Sequence, residues 1–220
     1  MIDLSRIPTV TKYLLIINIS FFVLQNLFPQ IDQYFALRFF QSPDFRPYQL
    51  LTHMFMHGSL FHLFFNMYAL YMFGQIIEIN LGDKKFLTFY LLTGFGAVLL
   101  HSFIEFIQFK NIVDLINSGT ATQQDIYQYS GYMNNTLMGA SGALFGILAG
   151  FVYLYPNHEL QFIFIPIPIK SKYLLAGYAA LELFNGIQNA EDDNIAHFAH
   201  LGGALFGFLI LREWRKKNII

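Results

Sequence analysis

The sequence predicts an all-α membrane protein, a single bundle of six helical spans in which the fourth span is short. Three observations predict it. Only 12% of the 220 residues are charged, against 55% hydrophobic and 18% aromatic, and mean hydropathy is +0.44. Soluble domains carry roughly twice that charge. The apolar residues fall in long runs broken by short polar clusters, the pattern of a chain that crosses a bilayer repeatedly. The basic residues also segregate between alternate loops.

Taken in order, the apolar runs place spans at residues 13–28, 60–79, 86–109, 141–155, 173–187 and 195–211. No small-residue cleavage site follows the first run, so it is expected to be a retained helix and not a signal peptide. No internal repeat is visible and no soluble domain is expected at either end, which makes residues 1–220 one membrane domain. With the N-terminus cytoplasmic, the inner segments hold Arg6, Lys12, Lys84, Lys85, Lys170, Lys172, Arg212, Arg215, Lys216 and Lys217. The outer segments hold only Arg38, Arg46 and Lys110, and the acidic cluster Glu191, Asp192, Asp193 falls outside. Ten against three follows the positive-inside rule and puts both termini in the cytoplasm. Compactness and topology together suggest a bacterial plasma membrane.

The loops add less. Residues 29–59 mix Phe39, Phe40, Phe45, Arg46 and Tyr48, which suits a segment lying in the membrane interface. Residues 110–138 are polar, with a short helix expected at about 122–129 and no functional reading. A net charge of −1 gives no basis for nucleic-acid binding. The absence of cysteine excludes a disulfide framework, a thiolate metal site and a thiol nucleophile.

The fourth span is where chemistry concentrates. Residues 141–155 would form roughly 22 Å of helix, against a hydrocarbon core about 30 Å thick. Anchored at its cytoplasmic end, before Pro156, such a helix starts below the outer surface, with Ser141 at its N-terminus inside the membrane. Non-helical backbone at that depth must line a protected or water-filled cavity. Two other spans aim polar groups at the same level. His200 lies about 18 Å from the cytoplasmic end of the sixth span, counted back from Arg212. His62 and Asn66 share a face near the outer end of the second. Ionisable groups within spans are functional candidates by default.

Serine with histidine is the minimum apparatus for nucleophilic acyl transfer: the hydroxyl attacks, and the imidazole takes and later returns its proton. The acids within spans are Glu78, Glu105 and Glu182, and no Asp is placed to orient an imidazole, so a dyad is expected and not a triad. Free backbone N–H groups at the start of the fourth helix, including that of Ser141, supply oxyanion donors. His62 and Asn66 add side-chain donors. Gly142, Gly146 and Gly150, facing Gly203 and Gly207 on the sixth span, allow the close approach that brings Ser141 to His200.

At these residues the chain resembles the rhomboid intramembrane serine proteases. The resemblance rests on G-A-S-G at 139–142, on His62 and Asn66, and on A-H-L-G-G-A-L-F-G at 199–207. It extends to Phe45-Arg46, with Phe where Trp is usual, and to Glu78 and Gly82 in E-x-x-x-G spacing. It implies cleavage of other membrane proteins within or beside their transmembrane helices, with no cofactor and no metal. It assigns Ser141 as nucleophile and His200 as base. His62 and Asn66 become oxyanion donors, supported by Gly139 and Ala140. Substrates would arrive laterally from the lipid, past the fifth span, and a small residue is expected before the scissile bond.

The remaining polar residues receive plainer readings. His197, one turn before His200, is expected at the rim. His53 and His57 are expected to make loop hydrogen bonds, and no H-E-x-x-H zinc motif occurs. His101 and Glu105 are read as interfacial. Glu182 and Asn185 would hydrate the cavity or pair with another span, and Asn134 and Asn135 would hold the loop that dips inward. Two rivals stand against a protease. A catalytically silent relative would lack the serine or histidine, and a small-solute transporter would be built from paired repeats.

Overall fold

The computed structural model describes residues 7–162, 165–188 and 196–220. The acidic cluster at 191–193, Arg6 and the first residue of the expected sixth span lie outside them. Along the described chain run α1 (Thr9–Leu27), α2 (Ile31–Phe35) and α3 (Gln49–Thr52), which tightens into one 3-10 turn at His53–Phe55. The second span is two helices, α4 (Leu60–Ala69) and α5 (Gln75–Leu81), joined by a π-turn at Leu70–Gly74. Then follow α6 (Asp83–Ser118), α7 (Gln123–Asn134), α8 (Ser141–Leu154), α9 (Ser171–Gln188) and α10 (His197–Lys216). The bundle is all-helical apart from two short ladders. In one, β1 (Leu37–Arg38) pairs antiparallel with β2 (Thr136–Leu137). In the other, β3 (Glu159–Phe162) pairs with β4 (Ile165–Lys170), Glu159 opposite Lys170. Neither ladder was expected.

Among the described residues, three stretches are long and apolar enough to cross a membrane: α1, the α4–α5 pair, and α6. Their outward faces carry exposed Ile16, Ile19, Val23, Phe61, Phe64 and Phe65, the reverse of a soluble surface. By contrast α8, at 14 residues, is about 21 Å long and cannot reach both faces of a bilayer.

The core lies between α6, α8 and α10. Leu144, Ile147 and Phe151 of α8 are buried with Phe86, Phe89 and Tyr90 of α6 and Leu211 of α10. Small residues set the distances. A methyl group built at Gly203 would lie 1.8 Å from the Gly142 carbonyl oxygen, and one at Gly207 would lie 2.5 Å from that of Gly146. The glycine seam between α8 and α10 is therefore backbone against backbone. Gly150 departs from the expectation: Phe89 and Leu211 cover it, because the seam diverges by then.

Several ends differ from the sequence reading; α1 starts at Thr9 and α10 runs on to Lys216. The third span does not stop at 109; α6 runs on to Ser118 and closes on Gly119 in the left-handed conformation. Its extension is held by α7 and the first loop, with Phe109 stacked on Tyr129 at 5.4 Å and Phe39 against Phe109 at 5.0 Å. The short helix expected near 122–129 exists and is longer. It starts at a capping box in which the Asp125 N–H donates to the Thr122 hydroxyl and the Thr122 N–H to the Asp125 carboxylate.

One end of the bundle gathers the chain's described termini and the α5–α6 junction. Glu78, buried at the end of α5, accepts the Val10 and Thr11 N–H groups, each at 2.7 Å, and so caps α1. Lys85 at the start of α6 donates to the Ile219 carbonyl beyond α10. Residues 139–141, and with them the start of α8, lie toward the opposite end, under the first loop.

Candidate active site

The site is built at the N-terminus of α8. Residues 139–141 arrive from β2, which is pinned to β1, and the Gly139 N–H donates to the His53 carbonyl at 2.9 Å. Gly139 has φ +130, a conformation L side chains rarely adopt, and a methyl group there would stand 2.7 Å from His62 Nε2. The chain thus turns tightly against His62 and enters α8 at Ser141, with no side-chain cap from Ala140. The first N–H groups of α8 have no helical carbonyl to meet, and the positive end of the helix dipole falls at the same point.

Ser141 Oγ lies 2.8 Å from His200 Nε2. The Gly142–Gly203 contact, one residue past the serine and three past the histidine, sets that distance. The His200 ring lies flat on Phe145, centroids 4.3 Å apart and planes within 7°. Phe145 stands one turn past Ser141, and Tyr178 of α9 meets its ring at 5.8 Å. On the other side of the imidazole, Nδ1 lies 3.1 Å from Glu182 Oε2, off the direction of a well-formed hydrogen bond. The same oxygen takes Nδ1 of His197 at 2.5 Å. His197 is not a rim residue: it is buried, as is Glu182, which pairs between spans.

The second span contributes His62 and Asn66. Ser59 caps α4 by accepting the His62 N–H at 3.1 Å, and the ring of His62 then packs toward Gly139. Asn66 is buried and its Nδ2 has no partner among the described residues. A hydroxyl on an imidazole, beside unmet donors, is what acyl transfer through an oxyanion requires. Behind the serine lies a cavity of about 10 Å³, bordered by His53, Met54, Gly94, Met138 and Ala143. It has room for about one water.

The family model for the Rhomboid domain matches residues 44–214. The chain belongs to the rhomboid family. Rhomboid protease AarA of Providencia stuartii is 32% identical over 170 residues, covering 71% of this chain and 52% of the relative. RHOMBOID-like protein 12, mitochondrial, of Arabidopsis thaliana is 28% identical over 213 residues, 92% of this chain and 57% of its own. The human presenilin-associated rhomboid-like protein, mitochondrial, is 31% identical over 159 residues, 72% of this chain and 35% of its own. The chain thus spans between about a third and somewhat over half of the length of these relatives. With its apolar helices, membership makes it an integral membrane protein.

In this rhomboid three signature residues, Arg46, Glu78 and Gly82, make structural contacts away from the serine. Arg46 turns back on its own loop, donating to the Pro43 and Phe45 carbonyls at 2.9 and 2.8 Å. Glu78 caps α1, and Gly82, at φ +77, ends α5 and starts α6. The Asn134 backbone carbonyl accepts from Arg38, whereas its side chain turns back on Ser130 of its own helix and does not hold the loop. His53 donates Nδ1–H to the Gln49 carbonyl at 2.9 Å, a loop bond, whereas the ring of His57 meets no partner among the described residues. His101 and Glu105 approach only to 3.9 Å, and Asn185 is half-buried on α9. Two contributors carried no signal in the sequence. Phe145 is one of 26 phenylalanines. Gln49, fully buried, ties the first loop together by accepting from the Arg46 N–H and donating to the Tyr34 and Asp44 carbonyls.

Proposed function

We propose that this rhomboid is an intramembrane serine endopeptidase that cleaves transmembrane segments of other membrane proteins with Ser141 and His200. The observation that carries the reading is the 2.8 Å contact between Ser141 Oγ and His200 Nε2 at the uncapped start of a helix too short to span. His200 Nε2 takes the hydroxyl proton as Oγ bonds to the scissile carbonyl carbon, and the carbonyl π pair moves to its oxygen. That oxyanion accepts from the Ser141 N–H and from His62 and Asn66, with Gly139 and Ala140 setting the turn. The carbonyl re-forms, the C–N bond breaks, and His200 returns its proton to the leaving amine. Water repeats the sequence on the acyl-enzyme. No step passes through a metal or cofactor.

Access is lateral, past α9, whose Leu181, Leu183, Phe184 and Ile187 face outward. The small cavity beside Ser141 suits a small side chain before the scissile bond. AarA carries the name of a protease and comes from a bacterium, while other relatives carry mitochondrial names. The membrane is therefore read as a bacterial plasma membrane or a mitochondrial membrane, with both termini on the face rich in basic residues.

Fluorophosphonate labelling in native membranes tests the reading. Wild type and His197→Ala should label, and Ser141→Ala and His200→Ala should not. A folded wild type that neither labels nor cleaves a model transmembrane segment would leave a rhomboid that only binds membrane proteins.

A further inference from the structure

The bundle buries one carboxylate within reach of the reacting histidine, and the dyad leaves it without a role. Glu182 is 8% exposed, on a helix with a lipid-facing surface. An acid at such a position is retained against a cost of several kcal/mol unless it is paired. Its Oε2 stands between two imidazoles, 2.5 Å from His197 Nδ1 and 3.1 Å from His200 Nδ1. The far nitrogen of the same His200 ring holds Ser141 Oγ at 2.8 Å. Carboxylate, imidazole and hydroxyl are thus consecutive neighbours, drawn from α9, α10 and α8, with the acid beside Nδ1 as a close charge and not as a well-formed hydrogen bond.

We propose that Glu182 is the positioning residue for His200, a third member that extends the dyad to a triad, with His197 holding the carboxylate in place. This rests on the protease reading above. Two consequences of the geometry argue for it. A carboxylate at Nδ1 selects the tautomer with Nδ1 protonated, which leaves the Nε2 lone pair facing the serine hydroxyl. When Nε2 takes the serine proton, the ring becomes a cation in a dry setting, and the carboxylate 3.1 Å away is its counter-charge. The proton on Nδ1 stays there throughout, and Glu182 remains ionised. Phe145 fixes the plane of the ring but cannot choose its tautomer; Glu182 does. His197 gives the acid a hydrogen bond from the same helix that carries His200, so acid and base keep their spacing.

An interhelical clamp is the alternative, with Glu182 merely tying α9 to α10 through His197. The two roles separate in kinetics. In the reconstituted full chain, with a model transmembrane segment as substrate, Glu182→Gln should lower kcat at least ~10-fold. KM and Tm should stay close to wild type, because the amide keeps shape and loses only charge and tautomer control. Glu182→Asp should recover part of kcat, and His197→Gln should cost less than Glu182→Gln. Unchanged kcat in Glu182→Gln overturns the proposal. So does an equal loss in Glu182→Gln, Glu182→Asp and His197→Gln accompanied by a fall in Tm, the mark of a clamp. An inactive wild type would instead sink the protease reading itself, so the two failures are distinguishable.

Discussion

Asn66 buries an amide NH₂ that meets nothing among the described residues, on the same helix face as His62. Such a group costs about 1–3 kcal/mol of stability while it stays unmet. A protein that keeps it is holding a donor ready for something that arrives later. Asn66→Leu should therefore lower kcat about 10²- to 10³-fold while Tm in detergent holds or rises. Steady-state cleavage and a melting curve on the same preparation check both halves, and a clear fall in Tm would mean that the amide has a structural partner instead. At this scale the membrane made the site legible. Polar groups within apolar runs are conspicuous, so Ser141, His200, His62 and Asn66 stood out. Glu182 stood out too, but its partners did not, because pairing between spans depends on a crossing geometry that periodicity along one helix does not contain. Phe145 is apolar among apolar residues, and only its stacking on His200 distinguishes it.

Helices in this bundle are spaced by what their glycines meet. Gly203→Ala would drive a methyl into the Gly142 carbonyl, which is backbone and cannot rotate away. The variant should lose about 1–3 kcal/mol, or more, and separate Ser141 from His200, so activity falls with stability. Gly177 in α9 meets nothing within 4 Å. Gly177→Ala should accordingly gain about 0.5–1 kcal/mol from helix propensity alone. Thermal melts of the two variants side by side check the pair, and equal shifts would refute the spacing argument. The spans themselves were readable from apolar runs, and their ends were not. Lys110, Asn111 and Asp114 look like a loop, yet a helix leaving the bilayer has no reason to stop there when aromatic contacts with α7 support it. The β1–β2 ladder is two residues a side, too short to leave a pattern, and it positions the serine loop all the same.

Across the molecule, the first loop outside the spans buries two neutral imidazoles. Burial pushes His53 down to about 4, against the bond to the Gln49 carbonyl. Burial, with His62 nearby, pushes His57 down to about 4 as well. Their unfolded values are near 6.5, so between pH 6.5 and 4 the unfolded chain binds more protons than the folded one. Stability is then fully present above pH 6.5 and falls as pH drops toward 4, by about 1.4 kcal/mol per unit for each ring. Melting of the detergent-solubilised chain from pH 7.5 to 5 should show that slope, and His57→Leu, which removes one ring, should reduce it. A flat profile would place the rings in contact with water. The helical bundle was legible because apolar length is an additive property of sequence. The covering of the serine by this loop was not, since it depends on Gln49 and on the His53 carbonyl meeting Gly139.

The π-turn at Leu70–Gly74 divides the second span into a half that carries His62 and Asn66 and a half in which Glu78 caps α1. A turn with i→i+5 bonding is wider than its neighbours and adds angle that a regular α-helix would not. The two halves therefore keep separate angular phases. One residue more or fewer in this turn swings the half with His62 by about 100° relative to the half with Glu78, moving the proposed oxyanion donors around the axis while leaving the α1 cap undisturbed. The turn acts as a dial, and its setting aims the second span at the serine.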